Sequence, residues 1–553
     1  MDSRAKHLVK LGDHLFSRRS PLLSLWQEIN DNFYPERADY TVSRGMGNDF
    51  AGHLTTSYPL LARRELGSLI STMLRPSDKD WFQVSVFRDD KIDNQGMRWL
   101  EWASKIQKRA MYDRAAKLVR ALKEGDNDFV TIGQCIISAE LNIRQNALLY
   151  RCWHPRDVVW CEDGEGSVDT IHRNWKPPAR EAADYFGKDK LHPKMVERLD
   201  LAAGRDPYQV GLIRHVVIPS DDYDTGSGPN GKRYNSKFVS IYVDVENEHI
   251  IREEPTNHPI YVIPRWQTVS GSQYAYSPCT VAALPDARLI QAMTLVLLEA
   301  GEKAVNPPML ATHDVVRSDI NIYAGGVTWI DREYDERLGE AMRPMIQDTS
   351  GLPFGLDMRA DIRQTIMEAF YLNKINMPPA VDAKQMTAYE VGQRVQEYVR
   401  NALPLFEPME QDYNGAICEH TFQILWDAGA FGSRYDLPQS LRGQDVVFKF
   451  ESPLHDTIER QKGHTFMEAK AMLAQAAELD PSAGAMLDAS QALRDVLKGL
   501  AVPSTWVRDE GDMEDQAAAL AQQAQSQQML MQADAGAAIA EKAGKAAKAM
   551  AEA

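Results

Sequence analysis

Prolines punctuate the second half of this chain, and they fix where its helices can begin and end. Ser277-Pro278 sets a capping serine and a first-turn proline ahead of an apolar run. The spacing predicts a helix through Leu289, Ile290, Met293, Leu297 and Leu298 to about Lys303, restarted or kinked at Pro285 and ended by Asn306-Pro307-Pro308. A small mixed segment follows, with a hairpin expected over Ile320–Tyr323, Gly325-Gly326 and Val327–Ile330. Ile362, Ile366 and Phe370 recur at helical spacing and predict a helix from about Leu356 to Lys374, which Met377-Pro378-Pro379 breaks. Thr387-Ala388-Tyr389-Glu390 reads as a capping box heading a long helix. That helix carries Val391, Val395 and Tyr398, is kinked or broken around Pro404 and Pro408, and resumes through Ile417, Phe422 and Leu425.

The first half mixes both periodicities. Leu8, Leu11, Leu15, Leu22, Leu25, Trp26, Ile29 and Phe33 predict a long helix stopped by Pro35. Helices are also expected at Tyr58–Leu74, ahead of Arg75-Pro76, and over Met97–Leu122. Val130–Ile143, Leu148–Trp153 and Val158–Trp160 read as strands. The clearest hairpin joins Tyr208–Pro219 to Phe238–Val245, whose side chains alternate between two faces. The fold class is α+β and predominantly helical.

No catalytic pattern survives inspection. Gly226-Ser227-Gly228-Pro229-Asn230-Gly231-Lys232-Arg233 nearly spells the phosphate-cradling GxxxxGK[ST] loop. Arg233 replaces the Mg²⁺-binding hydroxyl, Pro229 removes one N–H from the cradle, and a strand follows where a helix is required. It reads as an ordinary hairpin turn. There is no HExxH and no GxSxG, and the thirteen histidines fall singly; Cys418 and His420 lack partners at metal spacing. Acidic clusters at Asp221-Asp222 and Glu162–Glu165 sit in Gly- or Ser-containing loops and read as solvated turns. Neither enzymatic activity nor a cofactor or metal is expected.

Composition narrows the partners. The net charge of −16 should repel nucleic acid on average, where proteins that grip phosphates carry a basic face. Such a balance serves solubility, and it also suits a protein that DNA slides past. Apolar runs such as Met293–Leu298 are too short to cross a bilayer, and polar, basic Met1–Arg19 does not read as a signal peptide. Five scattered cysteines, none in a CxxC spacing, point to free thiols in a reducing compartment.

The ordered series resembles the portal, or head-to-tail connector, proteins of tailed bacteriophages, above all those of short-tailed, T7-like phages. The residues that carry the resemblance are Trp26 with Tyr34-Pro35-Glu36-Arg37, Leu69–Leu74 with Pro76 and Trp81-Phe82, Ser277-Pro278, and Asn306-Pro307-Pro308. Met377-Pro378-Pro379, Met386–Val391 and Phe448–Pro453 complete it, over about residues 5–500. Order and spacing are the specific part, because Pro-Pro pairs and capping boxes are common singly.

The resemblance implies a fold with wing, two-helix stem, small αβ clip and helical crown. Residues 1–276 would form the wing, 277–303 the first stem helix, 304–353 the clip and 354–375 the second stem helix. Residues 376–386 would be a channel loop, 387–452 a long kinked wing helix with the returning strand Val446–Phe450, and 453–512 the crown, with helices such as Ile458–Ala477 and Ala485–Leu497. Residues 513–553, an Ala/Gln-rich extension, fall outside it. It further implies a homo-oligomeric ring, a dodecamer at one capsid vertex, that conducts double-stranded DNA during packaging and ejection. The implied partners are terminase, tail adaptor proteins, and the major capsid and scaffolding proteins, with no membrane and no cofactor. Assembly would occur in the host cytoplasm and the product would reside in the virion.

Two surfaces are candidates for function on this reading. Asp331, Arg332, Glu333, Asp335 and Glu336, flanked by Trp329 and Tyr334, combine aromatics with both charge signs and suit a docking surface on the clip. Asp382, Lys384 and Gln385 would line the channel loop, where one lysine per subunit makes a sparse belt that meets phosphates at any register. A plain solvated loop is the competing reading of each. Two other classes stay open: a capsid shell or scaffolding protein, and a packaging ATPase, which would need an intact phosphate loop.

Overall fold

A computed structural model describes residues 3–45, 47–76, 80–87, 92–200, 205–223, 236–305, 307, 309–311, 342–344, 351–375, 409–433 and 436–450, with residues 467, 469–473, 493, 496 and 526 beyond them. The chain opens with α1 (Ser3–Phe33) and α2 (Tyr58–Leu74), then β1 (Phe82–Val86), α3 (Asn94–Met111) and α4 (Leu118–Ile132). A β-rich stretch follows: β2 (Ile136–Leu141), β3 (Leu148–Trp153), β4 (Val158–Glu162) and β5 (Val168–Trp175). After α5 (Ala179–Phe186) and α6 (Pro193–Glu197) come β6 (Ile213–Pro219), β7 (Phe238–Asp244), β8 (His249–Thr256) and β9 (Tyr261–Val262). Then come α7 (Pro278–Val305), the short pair β10 (Met309–Ala311) and β11 (Met342–Pro344), α8 (Gly351–Ala369) and α9 (Leu372–Ile375). A π-helical turn, Glu410–Gly415, leads into α10 (Ala416–Asp427), and β12 (Val446–Phe450) follows.

Two compact units result. The larger takes in Met1–Trp81 and Gln107–Ala430, and the smaller Phe82–Ile106 and Phe431–Glu451. In the smaller, β1 and β12 pair antiparallel, with Phe82 opposite Phe450 and Val86 opposite Val446. Trp99 and Trp102 gather around Phe431 at centroid distances of 6.1 and 6.4 Å.

The larger unit is built on a five-stranded antiparallel sheet in sequential order, β4-β5-β6-β7-β8. Its two faces are both covered. Ala5, Leu8 and Val9 of α1 pack on Val216, Ile218, Val239, Ile241 and Val243. Ala179, Ala182, Phe186 and Met195 of α5 and α6 pack on the opposite side, against Ile213, Tyr242 and Ile251. The expected alternation of β7 therefore holds, and both of its faces are buried. A three-stranded sheet, β3-β2-β9, shares a core with the first around Trp26, Ile136, Val158, Trp160, Ile171 and Tyr274.

Several sequence expectations change. The helix expected over Met97–Leu122 is two: α3 stops at Met111, and α4 starts at Leu118 after Lys117, its N-cap, which is left-handed at φ 56°. Val130–Ile132, expected to begin a strand, closes α4 instead. Gly133 caps that helix at φ 82°, and a Cβ there would overlap the Tyr276 carbonyl group. Pro285 neither restarts nor ends α7, which is continuous. The carbonyl it frees belongs to exposed Val281, where water can satisfy it. The second helix of the stem expectation begins earlier, at Gly351, and is interrupted at Tyr371, whose φ is 55°.

Candidate functional site

Asp331, Arg332, Glu333, Asp335, Glu336, Asp382, Lys384 and Gln385 lie outside the described residues, as do Gly226–Arg233 and the Thr387 capping box. The expected Ile320–Ile330 hairpin and the helices Ile458–Ala477 and Ala485–Leu497 fall wholly or mostly there too. What the structure places in detail is the pair of helices on either side of the clip candidate, α7 and α8.

Alpha-seven is anchored at its start. The Ser277 hydroxyl donates to the Val130 carbonyl at 2.6 Å and accepts the Thr280 N–H at 3.4 Å. Thr280 Oγ1 donates to the Thr131 carbonyl at 2.7 Å, so the helix grows out of the C-terminal end of α4. One turn of its length is clasped by the loop before α2: Gln291 Oε1 accepts the N–H groups of Thr55 and Thr56 at 2.7 and 2.9 Å, and its Nε2 donates back to the Thr56 carbonyl. Cys279, Ala283, Ala287, Ile290 and Thr294 form its buried ridge.

Alpha-eight lies antiparallel to it. Gly355 abuts Leu297, so a Cβ at that glycine would meet the leucine side chain at 2.8 Å, while Tyr371 beyond the helix end lies near Cys279. Ile362, Ile366 and Phe370 are buried as the spacing predicts, and the Phe370 ring lies 5.5 Å from Phe33.

The opposite side of this pair is apolar, and among the described residues nothing covers it. Val281, Leu289 and Val296 follow one another along α7 at helical spacing, with Leu295 and Leu298 beside them, and each is about half exposed. Phe354, 68% exposed, Leu356 and Met358 continue the apolar surface on α8. By length and composition α7 could cross a membrane, with a mean hydropathy of 1.5 over its most apolar window. The short-run expectation missed this because Asp286 and Arg288 interrupt the sequence without lowering the average enough. Covering one such side chain contributes about 1.5–3 kcal/mol, which makes this surface a candidate contact face.

The segment that resumes after Pro408 is held by a buried polar cluster. Arg75 pairs with Asp126, donates to Asn414 Oδ1 at 2.8 Å, and lies over the Tyr413 ring at 4.8 Å from its centroid. Burial works against the Arg75 charge, and the Asp126 carboxylate more than restores it. Nothing in the sequence pattern marks this cluster, since Arg75 and Asn414 are 339 positions apart.

Comparison with known proteins decides the family. Residues 5–507 match the family described as bacteriophage head to tail connecting protein. The chain belongs to that family. Among curated proteins this connector is 23% identical over 453 residues to the "Probable portal protein" of Bordetella phage BPP-1, covering 81% of this chain and 79% of that one. It is 20% identical over 502 residues to the "Portal protein" of Salmonella phage epsilon15, covering 89% and 86%. Among solved structures, a chain from the virion of a native gene transfer agent particle aligns over 76% of the connector and 86% of its own length, at 9% identity and a TM-score of 0.33, too slight a likeness to establish a shared fold. The resemblance drawn from the ordered prolines and the family match agree, and they cover nearly the same residues.

Proposed function

We propose that this connector is the subunit of a closed ring at one capsid vertex, through which double-stranded DNA enters and leaves the head. Family membership supports the connecting role, and the names of the two phage relatives support the portal. The observation that carries the ring is the uncovered apolar face of α7 and α8, which a second copy of the chain would bury. A closed ring covers one such face on every subunit and leaves no open end. On this reading α7 and α8 are the stem, residues 304–353 the clip that docks terminase and then tail adaptors, and residues 376–386 the channel loop. Asp331, Arg332, Glu333, Asp335 and Glu336 would carry the docking, and Asp382, Lys384 and Gln385 would face the DNA. A ring of twelve copies at −16 each totals roughly −190, a lumen that repels phosphates and keeps DNA mobile. Negative-stain images of the purified protein test the proposal. Rings with a central hole are expected, and shells, rods or dispersed monomers would overturn it.

A further inference from the structure

One side chain in the β-rich region is charged, buried and short of partners. Arg173 of β5 is 2% exposed and sits in a register row with His215 of β6, Tyr242 of β7 and Arg252 of β8. The polar atoms around it are arranged in a chain. Arg173 Nε donates to Tyr261 Oη at 2.6 Å, Tyr261 meets His215 Nδ1, and His215 Nε2 meets Ser240 Oγ at 2.8 Å. Burial first, then the charges of Arg173 and Arg252, hold His215 well below its ordinary pKa, so the ring is neutral. A neutral ring that donates from Nε2 to Ser240 accepts the Tyr261 hydroxyl proton at Nδ1, which leaves the Tyr261 oxygen free to accept from Arg173. Every group in this chain is satisfied except the outer guanidinium of Arg173. Its Nη1 is buried without an acceptor, and Arg173 makes no ion pair among the described residues.

That unsatisfied edge faces a small cavity of about 20 Å³, lined by β2, β3, β5, β7 and α5. The indole of Trp153 lies under the guanidinium, 3.7 Å from its carbon, and is fixed in place by donating to Ser138 Oγ at 2.9 Å. Trp175, Tyr185 and Tyr242 complete the aromatic wall, and Ile143 at the rim is exposed. Arg151 lines the cavity as well. Glu140 is the acidic residue of the lining, and it accepts the Tyr185 hydroxyl at 3.4 Å. Two arginines against one glutamate leave the lining with one net positive charge.

We propose that this cavity is a carboxylate site, in which the outer N–H groups of Arg173 hold the two oxygens of a carboxylate whose apolar stem lies against the indoles of Trp153 and Trp175. The chemistry follows from the parts. Burial works against the Arg173 charge and its neighbours Tyr261, Tyr242 and Glu140 more than restore it, so the guanidinium stays charged, and a carboxylate matches the open part of its planar fork with two charge-assisted hydrogen bonds. The cavity exceeds what one water needs, giving room for a two-oxygen head group. The carboxylate can come from a free small acid or from an Asp or Glu side chain of another polypeptide.

Ligand-observed NMR and calorimetry on the assembled full-length protein test this, with acetate as one probe and capped Gly-Glu-Gly against capped Gly-Gln-Gly as the other. Saturable binding of acetate or of the Glu peptide at one site per chain is expected. Acetate alone assigns the site to free acids, and the Glu peptide assigns it to a partner side chain. Arg173→Gln should weaken binding roughly tenfold or more, and Arg173→Lys, which keeps the charge and loses the fork, should fall between. Arg120→Gln, an exposed change on α4 outside the cavity lining, should bind as wild type. Absence of saturable binding by wild type overturns the proposal whether or not the variants fold, and so does unweakened binding by a folded Arg173→Gln or Arg173→Lys protein.

Discussion

The five-stranded sheet and the α7–α8 pair invert the usual distribution of polarity in opposite ways. The sheet buries charged and polar groups: Arg173, Arg214, Asp244 and the neutral rings of His172 and His215 are all nearly inaccessible. The helix pair exposes Val281, Leu289, Leu295, Val296 and Leu298. In the sheet, most buried polar groups find partners within the chain. Arg214 donates to the Val9 carbonyl at 2.8 Å and to Asn174 Oδ1 at 2.8 Å, and it pairs with Asp13. On α7 and α8 nothing within the chain covers the apolar surface among the described residues. The sheet settles most of its polar groups within one chain, whereas on the proposed ring the helix pair would be covered only by assembly.

The sharpest way to break that contrast is to make the helix face polar. Leu289→Asp combined with Val296→Asp should abolish the ring while leaving the subunit folded, because neither side chain belongs to the buried ridge. Light scattering after gel filtration should report subunits near the 62.3 kDa chain mass. Intact rings in the double variant would show that this face is not the one assembly covers.

The sheet should fail differently, by losing stability in the subunit itself. Arg19 of α1 donates to the carbonyls of Pro155, Arg156 and Val158 at 2.5, 2.5 and 2.6 Å. Arg19→Met keeps the packing and leaves those acceptors unpaired, at a cost of about 3 kcal/mol. Denaturant unfolding of the monomeric double variant, with and without Arg19→Met, measures that cost free of the ring. A change below about 0.5 kcal/mol would mean water replaces the arginine.

A third effect is smaller and depends on pH. His172 is fully buried with neither ring nitrogen paired, and burial, then the Arg214 charge, lowers its pKa from 6.5 to about 3. The neutral ring is favoured in the folded state, so this stabilisation is complete above pH 6.5. It is lost as the pH falls toward 3, because the unfolded chain takes up a proton that the folded one refuses. The slope from this group is about 1.4 kcal/mol per pH unit. His172→Phe should flatten stability against pH between pH 6 and 4 by that amount, and parallel curves for the two proteins would remove His172 from the account.

The smallest effect on stability belongs to Lys384→Glu, a loop change expected to alter folding by less than about 0.5 kcal/mol. Its expected consequence is on DNA: rings should form normally, and particles carrying the variant should retain less packaged genome. Normal retention would leave the channel-loop reading without support.

How much of this was legible follows from where the signals sat. Tyr58–Leu74 is read to the residue because Arg75-Pro76 closes it, and the bounds of Val446–Phe450 came with the family resemblance. Lys117, by contrast, opens α4 and Tyr371 separates α8 from α9 in a left-handed conformation, with no glycine to announce either. Gly133 did announce the end of α4, and the β-branched run Val130–Ile132 concealed it. Strand β1 was missed although its partner β12 was found, since pairing across more than 350 positions leaves no local mark. The family was legible in the order of prolines. The Arg75–Asp126 cluster and the Arg173 cavity were not, because each assembles from elements far apart in sequence.

Electron cryomicroscopy of the assembled protein tests the central claim most directly. The account predicts a closed ring in which Val281, Leu289 and Val296 of each subunit lose their solvent exposure against a neighbouring copy. A ring joined through other surfaces, with that face of α7 still open to water, would contradict it.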